Sequence, residues 1–109
     1  MRRLLFLCSR NKLRSPTAEA VFGDYDGVEV DSAGLSKDAE VPLSLEQVEW
    51  ADTILVMEEI HRTRLNRQFG QALKGKKVTV LSIPDNFEFM EPELVELLKA
   101  RCSRYLPST

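Results

Sequence analysis

The stretch Arg2–Phe22, RRLLFLCSRNKLRSPTAEAVF, decides the fold because it sets out a buried strand, a short loop and a helix in direct succession. The apolar run Arg2–Leu7 is typical of a buried strand, and residues 16–22 have the composition of a helix. We predict that Ser15 caps this helix and that Pro16 takes its first position, where the missing N–H of proline costs nothing. The first elements are therefore a strand, a loop and a helix.

The rest of the chain continues this alternation. Ser44 is a predicted N-cap for a second helix, and Pro92 is placed in the first turn of the last one. Short strands separated by helices indicate right-handed crossovers and a parallel sheet covered on both faces. We predict an α/β fold of three layers (αβα) around a four-stranded parallel sheet of flavodoxin-like order 2-1-3-4. The remaining predicted strands are 28–31, 53–57 and 77–83, and the remaining predicted helices are 44–50, 58–69 and 91–105.

The composition excludes several classes of protein. The chain has 109 residues, 43% of them hydrophobic and 29% charged, which predicts one globular domain over residues 1–109 rather than a disordered chain. Its two cysteines, Cys8 and Cys102, are too far apart in sequence for a zinc-binding cluster and too few for a disulfide framework. We expect a cytoplasmic protein that uses no metal and no cofactor.

The charge distribution indicates an anionic ligand. Five of the fifteen Lys and Arg residues lie within the first fourteen positions, where there is no acidic residue. The net charge of −2 nevertheless argues against a general polyanion binder, so nucleic acid is not an expected partner. The apolar run 4–7 is too short for a membrane-spanning helix, and no membrane partner is expected.

The loop after the first strand is the predicted site. In an open parallel sheet, ligands bind beyond the carboxyl ends of the strands at the point where the strand order reverses. Residues 8–15, here called the anion loop, occupy that place. Neither GxGxxG nor GxxxxGK[ST] is present, which excludes the dinucleotide fingerprint and the NTPase phosphate loop.

The anion loop combines a thiol with groups that bind a tetrahedral dianion. Its backbone N–H groups and the following helix N-terminus provide donors and partial positive charge, which also favour the thiolate form of Cys8. Arg14 can hold two phosphate oxygens with its planar fork. Asn11 tolerates the left-handed conformation that such a curl needs, and Ser15 can hydrogen-bond the sulfur. The predicted phosphate-binding residues are Ser9, Arg10, Asn11, Lys12, Leu13, Arg14 and Ser15, with Cys8 as the nucleophile.

These residues resemble the low-molecular-weight protein tyrosine phosphatase family. Cys8, Asn11, Arg14 and Ser15 fall on its C-x-x-N-x-x-R-S loop, and residues 30–34, VDSAG, resemble the segment after its second strand. The resemblance covers most of the chain. It implies hydrolysis of phosphotyrosine or a similar aryl phosphate, on a phosphorylated protein or a small molecule, and binding of inorganic phosphate. It also implies that Ser32 hydrogen-bonds Asn11 and supports the loop.

Two departures from the family pattern concern the mouth of the site. Family members are usually some forty residues longer, and the missing segment lies between Gly34 and Trp50. Arg10 stands where the family commonly has Gly, so that a bulky side chain borders the loop.

A phosphatase also needs a carboxylic acid that protonates the leaving group. The acid must lie at the carboxyl edge of the sheet, beside the anion loop. Asp85, which follows the fourth strand, is the first choice; Asp38 and Glu58 also lie at that edge and remain candidates. Asp85 as an ordinary turn residue is the competing interpretation, since aspartate favours turns.

Two other functions remain open. An anion loop that binds phosphate without turnover would serve a phosphoprotein-binding module. An arsenate reductase would use Cys8 but needs a resolving cysteine in a mobile loop, and none stands between Ile83 and Met90. The sequence does not determine the oligomeric state.

Four residues elsewhere are expected to have no catalytic role, although two of them have an alternative. His61 lies among arginines on a charged helix and is predicted to face solvent, and Cys102 is predicted to be inert. Phe87 and Phe89 beside Asp85 are more often core residues, with a wall for an aromatic substrate as the alternative.

Overall fold

Strands and helices alternate along the chain, as the sequence predicts. The computed structural model describes residues 2–106. Within this range the strands are β1 (Arg2–Cys8), β2 (Val28–Gly34), β3 (Thr53–Val56) and β4 (Lys77–Val80). The helices are α1 (Arg14–Phe22), α2 (Leu45–Trp50), α3 (Glu59–Phe69) and α4 (Pro92–Cys102), with 3₁₀ turns at Gly70–Leu73 and Ser103–Tyr105.

All four strands run parallel in the order β2-β1-β3-β4, which confirms the predicted fold class and strand order. Leu4 is paired with Val30 on one side and with Thr53 on the other, so β1 is a central strand. The chain places β2 next to β1 on one edge and then places β3 next to β1 on the opposite edge. The strand order therefore reverses beside the carboxyl end of β1, where Cys8 lies.

The central strand supplies both faces of the core because successive side chains of a strand point to opposite sides. Leu4, Phe6 and Cys8 belong to the cluster that packs against α1 and α4. Leu5 and Leu7 belong to the cluster on the opposite face, with residues of α2 and α3. Burial of each such leucine or phenylalanine contributes about 1.5–3 kcal/mol, so β1 is held firmly between the layers.

The predicted caps are confirmed at two helices. Ser44 Oγ accepts a hydrogen bond from the N–H of Gln47, and Gln47 Oε1 accepts one from the N–H of Ser44. Pro92 begins α4. The prediction for α1 was wrong. This helix begins at Arg14 with Leu13 at the N-cap, two residues earlier than predicted, because the end of the anion loop is already helical and the Ser15 side chain bonds within that loop.

Several predicted element ends differ from the structure: β2 continues to Gly34 rather than ending at residue 31, and α4 ends at Cys102 rather than at residue 105, whereas α3 ends at Phe69 as predicted. The fourth strand stops at Val80 rather than at residue 83, and Ser82 has a φ of +57° that no continuing strand would adopt. Gly70 has right-handed helical angles, so α3 passes directly into a 3₁₀ turn. Among the helices described between residues 2 and 106, none is long and apolar enough to cross a membrane.

Candidate active site

A cavity of about 170 Å³ opens at the carboxyl ends of β1 and β4. Its size suits a phosphate group with part of an ester, and it lies where the strand order reverses. The residues that line it come from the anion loop and from the loop after β4: Cys8, Ser9, Arg10, Lys12, Leu13, Arg14 and Asp85.

The backbone hydrogen bonds of the anion loop determine where several of its N–H groups point. The carbonyl groups of residues 8–10 accept hydrogen bonds of 2.9–3.1 Å from backbone N–H groups of the segment 35–40. In a planar trans peptide, the carbonyl and the next N–H point in opposite directions. The N–H groups of residues 9–11 therefore point away from that segment, and the N–H of Asn11 indeed reaches Cys8 Sγ.

Gly34 permits this close approach of the segment 35–40 to the anion loop. A Cβ at Gly34 would lie 2.5 Å from the Cβ of Ala39 and 2.7 Å from the carbonyl oxygen of Ser9. Any side chain there would push the two segments apart. The VDSAG motif thus ends in glycine for a steric reason.

Asn11 stabilises the curled conformation of the anion loop. Its φ is +57°, the left-handed conformation expected of it, and it is only 4% exposed. Its Nδ2 donates to Ser15 Oγ at 2.9 Å and to Ser32 Oγ at 3.0 Å, and Ser32 Oγ donates to Glu19 at 2.5 Å. The contact with Ser32 is the one that the resemblance implied. Asn11 and Ser15 do not line the cavity, so their side chains lie in the support of the loop rather than in its binding surface.

The Cys8 sulfur receives hydrogen bonds from two directions. The Asn11 N–H donates to it at 3.2 Å, and Ser15 Oγ lies 3.0 Å away. Because Ser15 Oγ already accepts from Asn11, its own hydrogen is free to donate to the sulfur. Two polar groups thus lie against the sulfur, which also lines the cavity.

Arg14 is almost completely buried, with 4% of its surface exposed. Its Nη1 donates to Glu58 Oε2 at 2.6 Å and to the carbonyl oxygen of Ile83 at 2.8 Å. These two bonds use both hydrogens of Nη1, so three of the five guanidinium hydrogens, on Nε and Nη2, are left for a ligand. Two partners thus hold one edge of the guanidinium and leave the other edge available for an anion.

The three candidate acids occupy different environments. Asp85 lines the cavity, with Oδ1 3.6 Å from Arg14 Nε and a side chain that is 66% exposed. Glu58 is bound to Arg14, and Asp38 lies 3.9 Å from the guanidinium of Arg10. Neither of them lines the cavity. Geometry therefore favours Asp85 over both alternatives.

His61 was expected to face solvent, and this prediction was wrong. The residue is 1% exposed, its Nε2 lies 3.1 Å from Ser9 Oγ, and its Nδ1 accepts from the Glu58 N–H at 3.0 Å. Burial, reinforced by the positive charge of Arg14, lowers its pKa from 6.5 to about 4. The prediction relied on the neighbouring arginines at 62, 64 and 67. Residue 61, however, lies four positions before the buried Leu65 and therefore on the inner face of α3.

Phe87, Phe89 and Cys102 were predicted to have no catalytic role. Phe87 packs against the core as predicted, but Phe89 is 52% exposed, so the core prediction was wrong for Phe89. Neither residue lines the cavity. Cys102 is buried, and its burial raises the pKa of its thiol to about 12, as suits an inert residue. Between residues 2 and 106, no cluster of three or more His, Cys, Asp and Glu side chains is arranged to hold a metal ion.

Comparisons with known proteins give structural matches only, since no family model and no curated protein matches the sequence. A YwlE mutant from Bacillus subtilis is 26% identical, with 96% of this chain and 99% of that one covered and a TM-score of 0.76. A second YwlE structure, described as an arginine phosphatase, contains a phosphorylated active-site serine.

Two tyrosine phosphatases have the same fold. SP-PTP, the low-molecular-weight protein tyrosine phosphatase from Streptococcus pyogenes, is 18% identical, with coverage of 96% and 91% and a TM-score of 0.78. The tyrosine phosphatase Wzb from Escherichia coli K30, in complex with phosphate, is 19% identical, with 94% of each chain covered and a TM-score of 0.77.

The fold, the anion loop and these matches place the chain among the phosphatases, a class of hydrolases. The chain is similar in fold to a low-molecular-weight protein tyrosine phosphatase, SP-PTP, and to YwlE, which is aligned over 99% of its own length. The likeness extends over nearly the whole chain.

Proposed function

We propose that the protein hydrolyses phosphotyrosine or a similar aryl phosphate monoester through a cysteinyl-phosphate intermediate on Cys8. The proposal rests on the position of the Cys8 sulfur. It forms hydrogen bonds with Ser15 and with the Asn11 N–H, and it lies in a cavity that Arg14 also lines. A thiolate nucleophile and a site for the phosphate dianion thus share one small space.

In the first step, the Cys8 thiolate attacks phosphorus and the bond between phosphorus and the ester oxygen breaks. The inward N–H groups of the anion loop and the free edge of Arg14 bind the three phosphoryl oxygens. Because these donors are already fixed before the ligand arrives, they stabilise developing charge without reorganisation. Arg14 is well suited to this role since its planar fork matches two oxygens at once.

Asp85 is the proposed general acid and base. It gives its proton to the departing phenolate, and in the second step it takes a proton from the water that attacks phosphorus. The S–P bond then breaks, which returns the Cys8 thiolate and releases inorganic phosphate. Among the residues that line the cavity, Asp85 alone carries a carboxylate, which supports this assignment.

The positive charge at the mouth of the cavity favours a phosphate ester of a neutral or anionic alcohol as substrate, rather than phosphoarginine. Arg10 and Lys12 both line the cavity, and a phosphoarginine substrate would bring a guanidinium group toward them. Like charges in proximity oppose binding. We therefore propose aryl phosphates rather than the substrate class in the description of YwlE.

Hydrolysis of p-nitrophenyl phosphate in EDTA from pH 5 to pH 8 tests the proposal. We expect turnover by the wild type, inhibition by orthovanadate, and loss of turnover in Cys8→Ser with phosphate binding retained. Cys102→Ala is the matched control, since it removes the other thiol, which does not line the cavity, and it is expected to keep turnover. Phosphoarginine, offered in parallel, is expected to be the poorer substrate.

Each alternative has its own outcome in the same experiment. Phosphate or vanadate binding without turnover would overturn the proposal in favour of a phosphoprotein-binding module. Arsenate reduction that Cys102→Ala abolishes would indicate a reductase, although a buried thiol with a raised pKa is a poor resolving group. Both cysteines are free thiols, which suits the proposed cytoplasmic location.

A further inference from the structure

The buried His61 contacts the anion loop at a residue that the mechanism above does not use. Its Nε2 lies 3.1 Å from the hydroxyl oxygen of Ser9, the residue that follows Cys8 and also lines the cavity. A polar side chain that is 1% exposed must be held by specific partners, because an unsatisfied buried group would cost about 1–3 kcal/mol. Ser9 is one of those partners.

The other partner fixes which ring nitrogen carries the proton. The backbone N–H of Glu58 donates to His61 Nδ1 at 3.0 Å, so Nδ1 must have a free lone pair. In a neutral imidazole the proton then resides on Nε2. His61 is therefore the donor and Ser9 Oγ the acceptor in the contact between them.

The hydroxyl oxygen of Ser9 accepts a second hydrogen bond from the same helix. Arg64 Nη1 lies 3.3 Å from it, one turn of α3 beyond His61. A hydroxyl group has two acceptor lone pairs and one donor hydrogen. His61 and Arg64 together use both lone pairs, which leaves Ser9 with its hydrogen alone, and no residue between 2 and 106 accepts that hydrogen.

We propose that the Ser9 hydroxyl is a further anion-binding donor of the site, and that His61 is the positioning residue that orients it toward the cavity. An anion bound by the loop would receive this O–H in addition to the backbone N–H groups. A hydroxyl without such a partner rotates freely and serves as donor or acceptor; this one is restricted to donation. The proposal deepens the proposed function and requires only that a phosphate-like anion enters the cavity.

The charged groups around His61 favour its neutral, orienting form. Arg14 and Arg64 face it with positive charge and lower its pKa, while Glu58 and Asp85 face it with negative charge and raise it, and burial is the largest influence. The net result, a pKa of about 4, leaves the ring neutral throughout the range from pH 5 to pH 8 in which a phosphatase assay would run. The orientation of Ser9 is therefore maintained over that range.

The test compares Ser9→Ala, Ser9→Thr and two replacements of His61. His61→Asn places its amide near the former Nδ1 and keeps an acceptor for Glu58, whereas His61→Gln reaches the former Nε2 and keeps a donor for Ser9. The readouts are the inhibition constant of orthovanadate, kcat/KM for p-nitrophenyl phosphate, and the binding of inorganic phosphate by calorimetry. Asn66→Ala, an exposed substitution on the same helix, is the control for altered helix stability.

We expect Ser9→Ala to weaken vanadate binding and to lower kcat/KM by roughly tenfold, which is the contribution of one hydrogen bond to a charged group. His61→Asn should lose a similar factor, and His61→Gln and Ser9→Thr should recover most of it. Because His61 acts through Ser9, the double variant Ser9→Ala/His61→Asn should be no worse than Ser9→Ala alone. A role of His61 in stability alone would not produce that pattern.

Two results would overturn the proposal: vanadate and phosphate binding by Ser9→Ala equal to wild type, or losses that multiply in the double variant. If His61→Asn does not fold, Ser9→Ala and Ser9→Thr still decide whether the hydroxyl binds the anion. If the wild type shows no turnover, the proposed function fails, but the vanadate and phosphate titrations still test Ser9. If turnover is normal and Ser9→Ala has no effect, only the present inference fails.

Discussion

The floor and the rim of the cavity are built in opposite ways. Arg14 on the floor, and Asn11 and Ser15 in the support directly behind it, are each 4% exposed or less, and every one of them is held by side-chain hydrogen bonds. On the rim, Asp85 and Arg10 have side chains that are 66% and 63% exposed. Each rim residue has only a distant ionic partner, at 3.6 Å and 3.9 Å respectively.

This difference separates two parts of the proposed chemistry. Electrostatic contacts are strong where water is excluded and weak where it screens them, so binding of the phosphoryl group depends on the floor. Recognition and protonation of the leaving group depend on the rim. Substitutions on the floor should therefore have much larger effects than substitutions on the rim, and the following predictions test that order.

The largest effect is expected for Arg14→Lys. A lysine keeps the positive charge but lacks the planar fork, and after bonds to Glu58 and Ile83 it would have one N–H left for the phosphate, where arginine has three. We expect kcat/KM for p-nitrophenyl phosphate to fall by roughly a thousandfold, near the upper end for loss of a fixed oxyanion donor, and vanadate inhibition to weaken strongly. Arg62→Lys, on the exposed side of α3, is the control. A loss of less than tenfold would contradict the assignment of Arg14 to the phosphate.

A smaller and substrate-dependent effect is expected for Asp85→Asn. With phenyl phosphate, whose leaving group needs a proton, we expect kcat to fall roughly a hundredfold, within the range for general acid catalysis. With p-nitrophenyl phosphate, which has a much better leaving group, the loss should be clearly smaller. The assignment is wrong if phenyl phosphate turnover survives in Asp85→Asn but is abolished in Asp38→Asn or Glu58→Gln.

Beneath the floor, the buried His61 should make stability depend on pH. The unfolded chain binds a proton at this residue near pH 6.5, whereas the folded protein does so only near pH 4. Acid therefore favours the unfolded state, and the free energy of unfolding should decrease by about 2 kcal/mol from pH 7 to pH 5 through this residue alone. Urea unfolding of wild type and His61→Gln at both pH values measures the difference. Equal pH dependence in the two proteins would contradict the prediction.

The sequence was informative where local residue pattern decides the structure. The apolar run of β1 and the strand-loop-helix order were enough to predict the parallel sheet and to place Cys8 at its carboxyl edge. The spacing of Cys8, Asn11 and Arg14 likewise identified residues that the structure brings together. These features depend on residues that are close in sequence.

What the sequence did not reveal depends on contacts between distant segments. His61 looked exposed because its neighbours are charged, and only the packing of α3 against the anion loop places it beside Ser9, 52 positions earlier. Glu58 looked like a candidate acid, but the fold uses its carboxylate to hold Arg14, 44 positions earlier. Neither contact has a local signal, since each depends on how two elements meet at the sheet edge.

The smallest effect is expected on the rim, for Arg10→Ala. Its guanidinium attracts an anionic substrate across solvent, and exposed charge pairs contribute less than about 1 kcal/mol. We expect KM for p-nitrophenyl phosphate to rise two- to threefold in a buffer of low ionic strength, and the difference to vanish in about 0.5 M salt because the screening length falls below the size of the side chain. Lys37→Ala, a basic residue outside the cavity lining, is the matched control. A loss of tenfold or more that salt does not remove would mean that Arg10 contacts the phosphate directly, and the distinction between floor and rim would then fail at this residue.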